Sequence, residues 1–163
     1  MIEQLYAKGH RVIGIIGDRP ETSRPSQQRL DGCLDALQRL GVPFDFDRQY
    51  RLADFSMQGG YAAAEHLLAH CPGLTAIFAM SDLMAVGAIR AIQDHGLRVP
   101  QDIAVAGYDA LRLGGTPCRA DDDPAEYHRP CRARRRHFAA LHRGKRSAHH
   151  ETVPFELVEG ESV

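Results

Sequence analysis

Ser81 and Asp82 follow directly on the apolar run 74–80, and Asp109 closes Gly107-Tyr108-Asp109 after a second apolar run, 103–106. Serine and aspartate are the types that cap helix N-termini by accepting backbone N–H bonds. An ionised carboxylate such as Asp109 is acceptor-only and suits the hydroxyls or amines of a ligand. This is the chemistry of binding rather than of turnover. The chain carries no P-loop, no GxGxxG and no GxSxG. Its nine histidines read as scattered or gathered toward the tail, with no pair at metal-ligand spacing; His149-His150 lacks helical spacing. No catalytic residue, metal or cofactor is expected. An α/β hydrolase or a flavodoxin-like module is the remaining enzyme-class reading, because fold does not fix function.

These residues sit at the ends of a repeating pattern. The run 74–80 has the length and composition of a buried strand. Leu83, Val86, Ile89, Ala91 and Ile92 then recur near the helical period, Gly96 is a stop, Val99-Pro100 a turn, and 103–106 another strand. That is one βαβ unit, which makes a parallel pair with a right-handed crossover. Upstream, Ile2, Leu5 and Tyr6 fit a short helix ended by Gly9, and 11–17 a strand buried on both faces. Ser26 is placed as the cap of a helix whose apolar face is Leu30, Cys33, Leu34, Leu37 and Leu40, ended by Gly41 with Pro43 beyond. A strand over 50–54 and a helix capped by Ser56, running through Tyr61, Ala64, Leu67 and Leu68 to about His70, complete the alternation. The fold class is α/β, a three-layer α/β/α parallel sheet. Such sheets keep their ligands at the carboxyl ends of the strands.

The ordered stretch AIFAMSDLMAVGAIRAI, followed by GLRVPQDIAVAGYD, resembles the effector-binding domain of LacI/GalR-type transcription regulators, itself built like periplasmic sugar-binding proteins of type I. The resemblance covers most of residues 1–110 and implies the C-terminal lobe of that domain. The R-x-x-G that opens the family's second helix is matched by Arg29-Leu30-Asp31-Gly32, and its aromatic after the next strand by Phe55. The resemblance implies a ligand-binding set of Arg29, Phe55, Ser81, Asp82 and Asp109. A planar guanidinium makes bidentate bonds to vicinal hydroxyls or a carboxylate, and an aromatic face stacks on a sugar ring. Ala110 stands where many relatives carry a second acid. The implied partner is a small polar effector, a sugar or nucleoside-like compound. In an intact relative, a homodimer, it shifts the lobe equilibrium and with it the affinity for operator DNA. No stretch before the first strand reads as a recognition helix, so operator binding is expected only of an intact relative. The alternative is part of a periplasmic sugar-binding transport receptor. A helix-turn-helix or a signal peptide upstream of Met1 would separate the two.

Composition limits the remaining classes. With a formal net charge of -1 over 163 residues, bulk electrostatics name no partner. Cys33, Cys71, Cys118 and Cys131 show no metal-ligand spacing, so reduced thiols in a cytoplasm are expected. No run approaches the ~18 apolar residues of a membrane helix. MIEQLYAKGH reads as the end of an amphipathic helix, as if the chain began within a longer protein.

Residues 114–144 break the pattern: they contain no Ile and no Val and concentrate Arg, Pro, Asp, Cys and His. CRARRRHF reads at face value as a nucleic-acid patch, or more plainly as a solvated charge run. A third reading is preferred. Ala120-Asp121-Asp122-Asp123, back-translated and shifted by one nucleotide, permits Leu-Thr-Thr-Ile, and Pro124-Ala125-Glu126-Tyr127 permits Arg-Gln-Asn-Ile. The family has Pro-Leu-Thr-Thr-Ile-Arg-Gln here. The expected organisation is therefore a lobe over 1–113, a frame-shifted Arg-rich segment over 114–144, and the lobe's closing strand and tail over 145–163.

Overall fold

The structure is a computed structural model and describes residues 1–19 and 24–109. The 114–144 and 145–163 segments of the expected organisation lie outside these residues. In chain order the elements are α1 (Ile2–Ala7), β1 (Ile13–Gly17), α2 (Arg24–Arg39), α3 (Phe46–Gln49), β2 (Tyr50–Leu52), α4 (Met57–His70), β3 (Ala76–Ala79), α5 (Asp82–Asp94) and β4 (Ala104–Ala106). The strands form one parallel sheet in the order β2-β1-β3-β4. Ile15 is paired with Tyr50 on one side and Phe78 on the other, and Phe78 with Ala106 beyond.

Every residue of β1, β3 and β4 is buried, as expected of strands covered by helices on both faces. The chain leaves β1 toward β2 through α2, then returns across β1 to β3 through α4 and onward to β4 through α5. Right-handed crossovers place α2 on one face of the sheet and α4 and α5 on the other.

Local signals account for the helix ends. Ser56 Oγ accepts the Gly59 amide at 2.9 Å and caps α4; Gly9, Gly41 and Gly96 follow α1, α2 and α5 with φ of 98°, 65° and 73°. Replacing Ser56 with alanine is expected to cost about 1 kcal/mol, read as a lower urea midpoint with an unchanged slope.

The structure differs from the sequence expectation in several places. Ser26 is not a cap: α2 already begins at Arg24, and Ser26 is buried within it. The strands are shorter than the apolar runs that announce them. The short helix α3 was not expected; Asp45 caps it by accepting the Arg48 amide at 3.2 Å. Its Gln49 is buried with both ends of its amide satisfied, by the Ile13 carbonyl at 2.9 Å and the Asp45 amide at 2.7 Å. Leu34 in α2 and Leu40 just past its end are only half-buried.

The inward face of α5 is Met84, Ala85, Gly87, Ala88, Ala91 and Ile92, while Leu83, Val86 and Ile89 are half-buried. Small residues take that face because α4 and α5 nearly touch. A Cβ on Gly87 would run into the Met57 carbonyl, and one on Gly60 into the Met84 backbone. Finally, α4 carries His66 and His70 four residues apart on exposed positions. This corrects the expectation that no two histidines stand at metal-ligand spacing.

Candidate functional site

Sheet topology singles out one end of the molecule. From β1 the chain moves first to one side and later to the other, so the carboxyl ends of β1 and β3 flank a switch point. There, helices on opposite faces leave a crevice. Arg29, in the second turn of α2, reaches across it, and its Nη1 donates to the carbonyl of Met80, just past β3, at 2.9 Å. The guanidinium also lies over the ring of Tyr108, 3.9 Å from its centroid, a cation–π contact with a ring that is itself 53 % exposed.

The residues after β3 divide their roles. Ser81 is buried, and its Oγ accepts the Met84 amide at 3.3 Å as the N-cap of α5. Asp82 turns its carboxylate toward the end of β4, where Oδ1 accepts the Asp109 amide at 3.1 Å. Gly107 makes room for this. A Cβ there would collide with the same Asp82 oxygen. The acid thus latches the β4 end to the start of α5.

The Asp109 residue is exposed, and its carboxylate has no bond among the described residues. Arg29, Asp82 and Asp109 are accordingly brought together, with Met80 and Tyr108 between them. Phe55 stands at the end of β2, half-buried against the core, and no hydrogen bond or ring contact joins it to the other four. It has φ of 59°, an uncommon backbone state for a bulky non-glycine residue that costs of order 1–3 kcal/mol. Ser56 and Asp54 hold the adjoining turn, through a 2.5 Å hydroxyl–carboxylate bond.

Tyr108 was not among the residues singled out from sequence. The signal was present, since it sits inside the Gly-Tyr-Asp motif that named Asp109. A separate cavity of about 460 Å³, lined by Tyr6, Arg11, Val42, Arg48, Gln49 and Cys71 among others, opens at the opposite end of the sheet, before the strands begin. Its polar groups are turned to structural use. Arg11 donates to the Tyr6 and His10 carbonyls and stacks on Tyr6, and Arg48 pairs with Asp45. The rim at the carboxyl ends therefore remains the candidate site.

Comparison with known proteins gives the arrangement a lineage. Residues 2–117 match the family model of the periplasmic binding protein-like domain. An HTH-type transcriptional regulator of Streptomyces limosus is 43% identical over 115 residues, covering 69% of this chain and 32% of its own length. The transcriptional regulator CelR of Thermobifida fusca is 38% identical over 107 residues, covering 66% and 31%. Among solved structures, the CelR–cellobiose complex aligns with a TM-score of 0.63 at 37% identity, over 67% of this chain and 33% of that one. The lac repressor dimer bound to operator and the anti-inducer ONPF aligns with a TM-score of 0.62 at 34% identity, over 68% and 37%. The chain thus spans about one third of the length of the curated relatives it matches. These relatives are regulators of transcription rather than enzymes. With a four-stranded parallel sheet among its described residues and a family model matched over residues 2–117, the chain belongs to the periplasmic-binding-protein-like family, as one lobe of the effector-binding domain of LacI-type regulators.

Proposed function

We propose that this lobe forms one jaw of an effector clamp that takes a sugar or nucleoside-like molecule at the switch-point rim, in a bacterial, cytoplasmic, homodimeric regulator of transcription. Arg29 and Asp109 supply charge-assisted hydrogen bonds to ligand hydroxyls. Phe55 supplies an apolar face, while Ser81 and Asp82 hold the rim in shape and border the ligand. The observation that carries this reading is the Arg29–Met80–Tyr108 bridge across the switch point, beside the open Asp109 carboxylate. It leaves Arg29 with donors beyond Nη1 and puts an acceptor within the same crevice. That CelR is solved with cellobiose favours a sugar as the first ligand to try. Operator DNA would be contacted only by a helix-turn-helix domain, so the Arg-rich stretch 114–144 is assigned no nucleic-acid role. It is a product of two compensating frame changes, which one DNA read through the gene would test.

The experiment is an amide chemical-shift titration of the full chain with cellobiose, and separately with cytidine, to millimolar concentration, since one jaw supplies about half the contacts. Shifts gathered at Arg29, Phe55, Tyr108 and Asp109 are the expected result. Shifts confined to the Arg11–Arg48 end, or none with either ligand, would overturn the reading.

A further inference from the structure

We propose that His66 and His70 on α4 form a two-imidazole chelate for a borderline divalent ion such as zinc, away from the effector rim. Residues four apart on a helix lie on one side of it. Here both are exposed, with ring centroids 4.1 Å apart and planes inclined by 29°.

The neighbours of each ring set its tautomer. The Nδ1 of His70 lies 3.0 Å from the His66 carbonyl oxygen. A carbonyl oxygen only accepts, so Nδ1 carries a proton and Nε2 is the nitrogen that can offer a lone pair to a metal. Arg51 Nε donates to His66 Nδ1 at 2.7 Å, and guanidinium only donates, so on His66 the lone pair is on Nδ1 and the proton on Nε2. His66, whose Nδ1 accepts, is thereby a neutral imidazole, the form that ligates metals.

An incoming ion takes the His70 Nε2 lone pair directly. It takes the His66 Nδ1 lone pair from Arg51, whose Nη1 also releases the Tyr50 carbonyl; because lone pairs lie in the ring planes, the His66 ring turns out of its stack on His70 so that the two converge on the ion. No cluster of three or more His, Cys, Asp or Glu that could hold a metal occurs among the described residues, so water completes the shell. Two imidazoles without carboxylates favour zinc, copper or nickel over magnesium and calcium. Arg51 acts as the competitor for the site, which gives the proposal a signature that a merely stacked histidine pair would not show.

The test is a zinc titration of the full chain against a chromophoric indicator. The proteins compared are wild type, His66→Gln, His70→Gln, Arg51→Met and a His149→Gln/His150→Gln tail variant, with circular dichroism to check folding. One zinc equivalent is expected to vanish in His66→Gln and in His70→Gln. It should persist in the tail variant and bind several-fold tighter in Arg51→Met. Zinc held equally by wild type and His70→Gln, or no more tightly by Arg51→Met, overturns the proposal, as does a wild type that takes up no zinc.

Discussion

Gly87→Val is expected to lower stability by about 3 kcal/mol or more, the upper end of what overpacking costs. The Cβ would run into the Met57 carbonyl and stand 2.7 Å from the Tyr61 nitrogen. Both are backbone atoms of α4, which cannot swing aside as a side-chain tip can. The two helices must separate, and separation strips contacts from Ala63, Ala64, Leu67, Met84, Ala88 and Ala91, all buried. Urea denaturation followed by circular dichroism measures it. Gly32→Ala is the control, since a Cβ there meets nothing within 4 Å and replacing a helical glycine gains roughly 0.5–1 kcal/mol. A Gly87→Val midpoint equal to that of wild type would refute the close α4–α5 packing.

The second large effect falls on effector binding. Hydrogen bonds to charged groups are worth about 1.5–3 kcal/mol, so Asp109→Asn should weaken ligand binding by roughly 10- to 150-fold. Arg29→Ala should do at least as much, because it also removes the contacts to the Met80 carbonyl and the Tyr108 ring. Arg29→Lys should rescue little. A lysine ammonium is a point charge and lacks the planar fork that can lie on a ring and donate sideways at once. The shift titration proposed above reads all three variants. Wild-type affinity in Asp109→Asn would remove that carboxylate from the site.

Local chemistry carried much of the fold into the sequence. Ser56 and Ser81 cap the helices expected of them, and the glycine stops at 9, 41 and 96 adopt the positive φ that ends a helix. Four-residue α3 is shorter than any window in which periodicity can be read, and only its Asp45 cap marks it. Of the helical repeat read for α5, Ala91 and Ile92 are in the core but Leu83, Val86 and Ile89 are only half-buried, for a physical reason. Hydrophobic pattern favours Leu83, Val86 and Ile89 by size, whereas a close helix contact selects glycine and alanine. Of the candidate site, residue types and strand ends were legible. The division of labour was not, because it depends on contacts between Arg29 and Met80, 51 residues apart, and between Asp82 and Asp109, 27 apart.

The order of strands also bears on how the chain is made. β1 lies inside the sheet, yet its partners come much later; Ile15 meets Tyr50 thirty-five residues on and Phe78 sixty-three residues on. At about 5–20 residues per second of synthesis, the Ile-rich β1 emerges and then waits roughly 3–13 s before its second neighbour exists. For that interval the edge of β1 that faces β3 has no native partner, although β2 takes the other edge about halfway through. Until β3 has been translated, that edge is open to the mispairing to which an unpaired strand edge is prone.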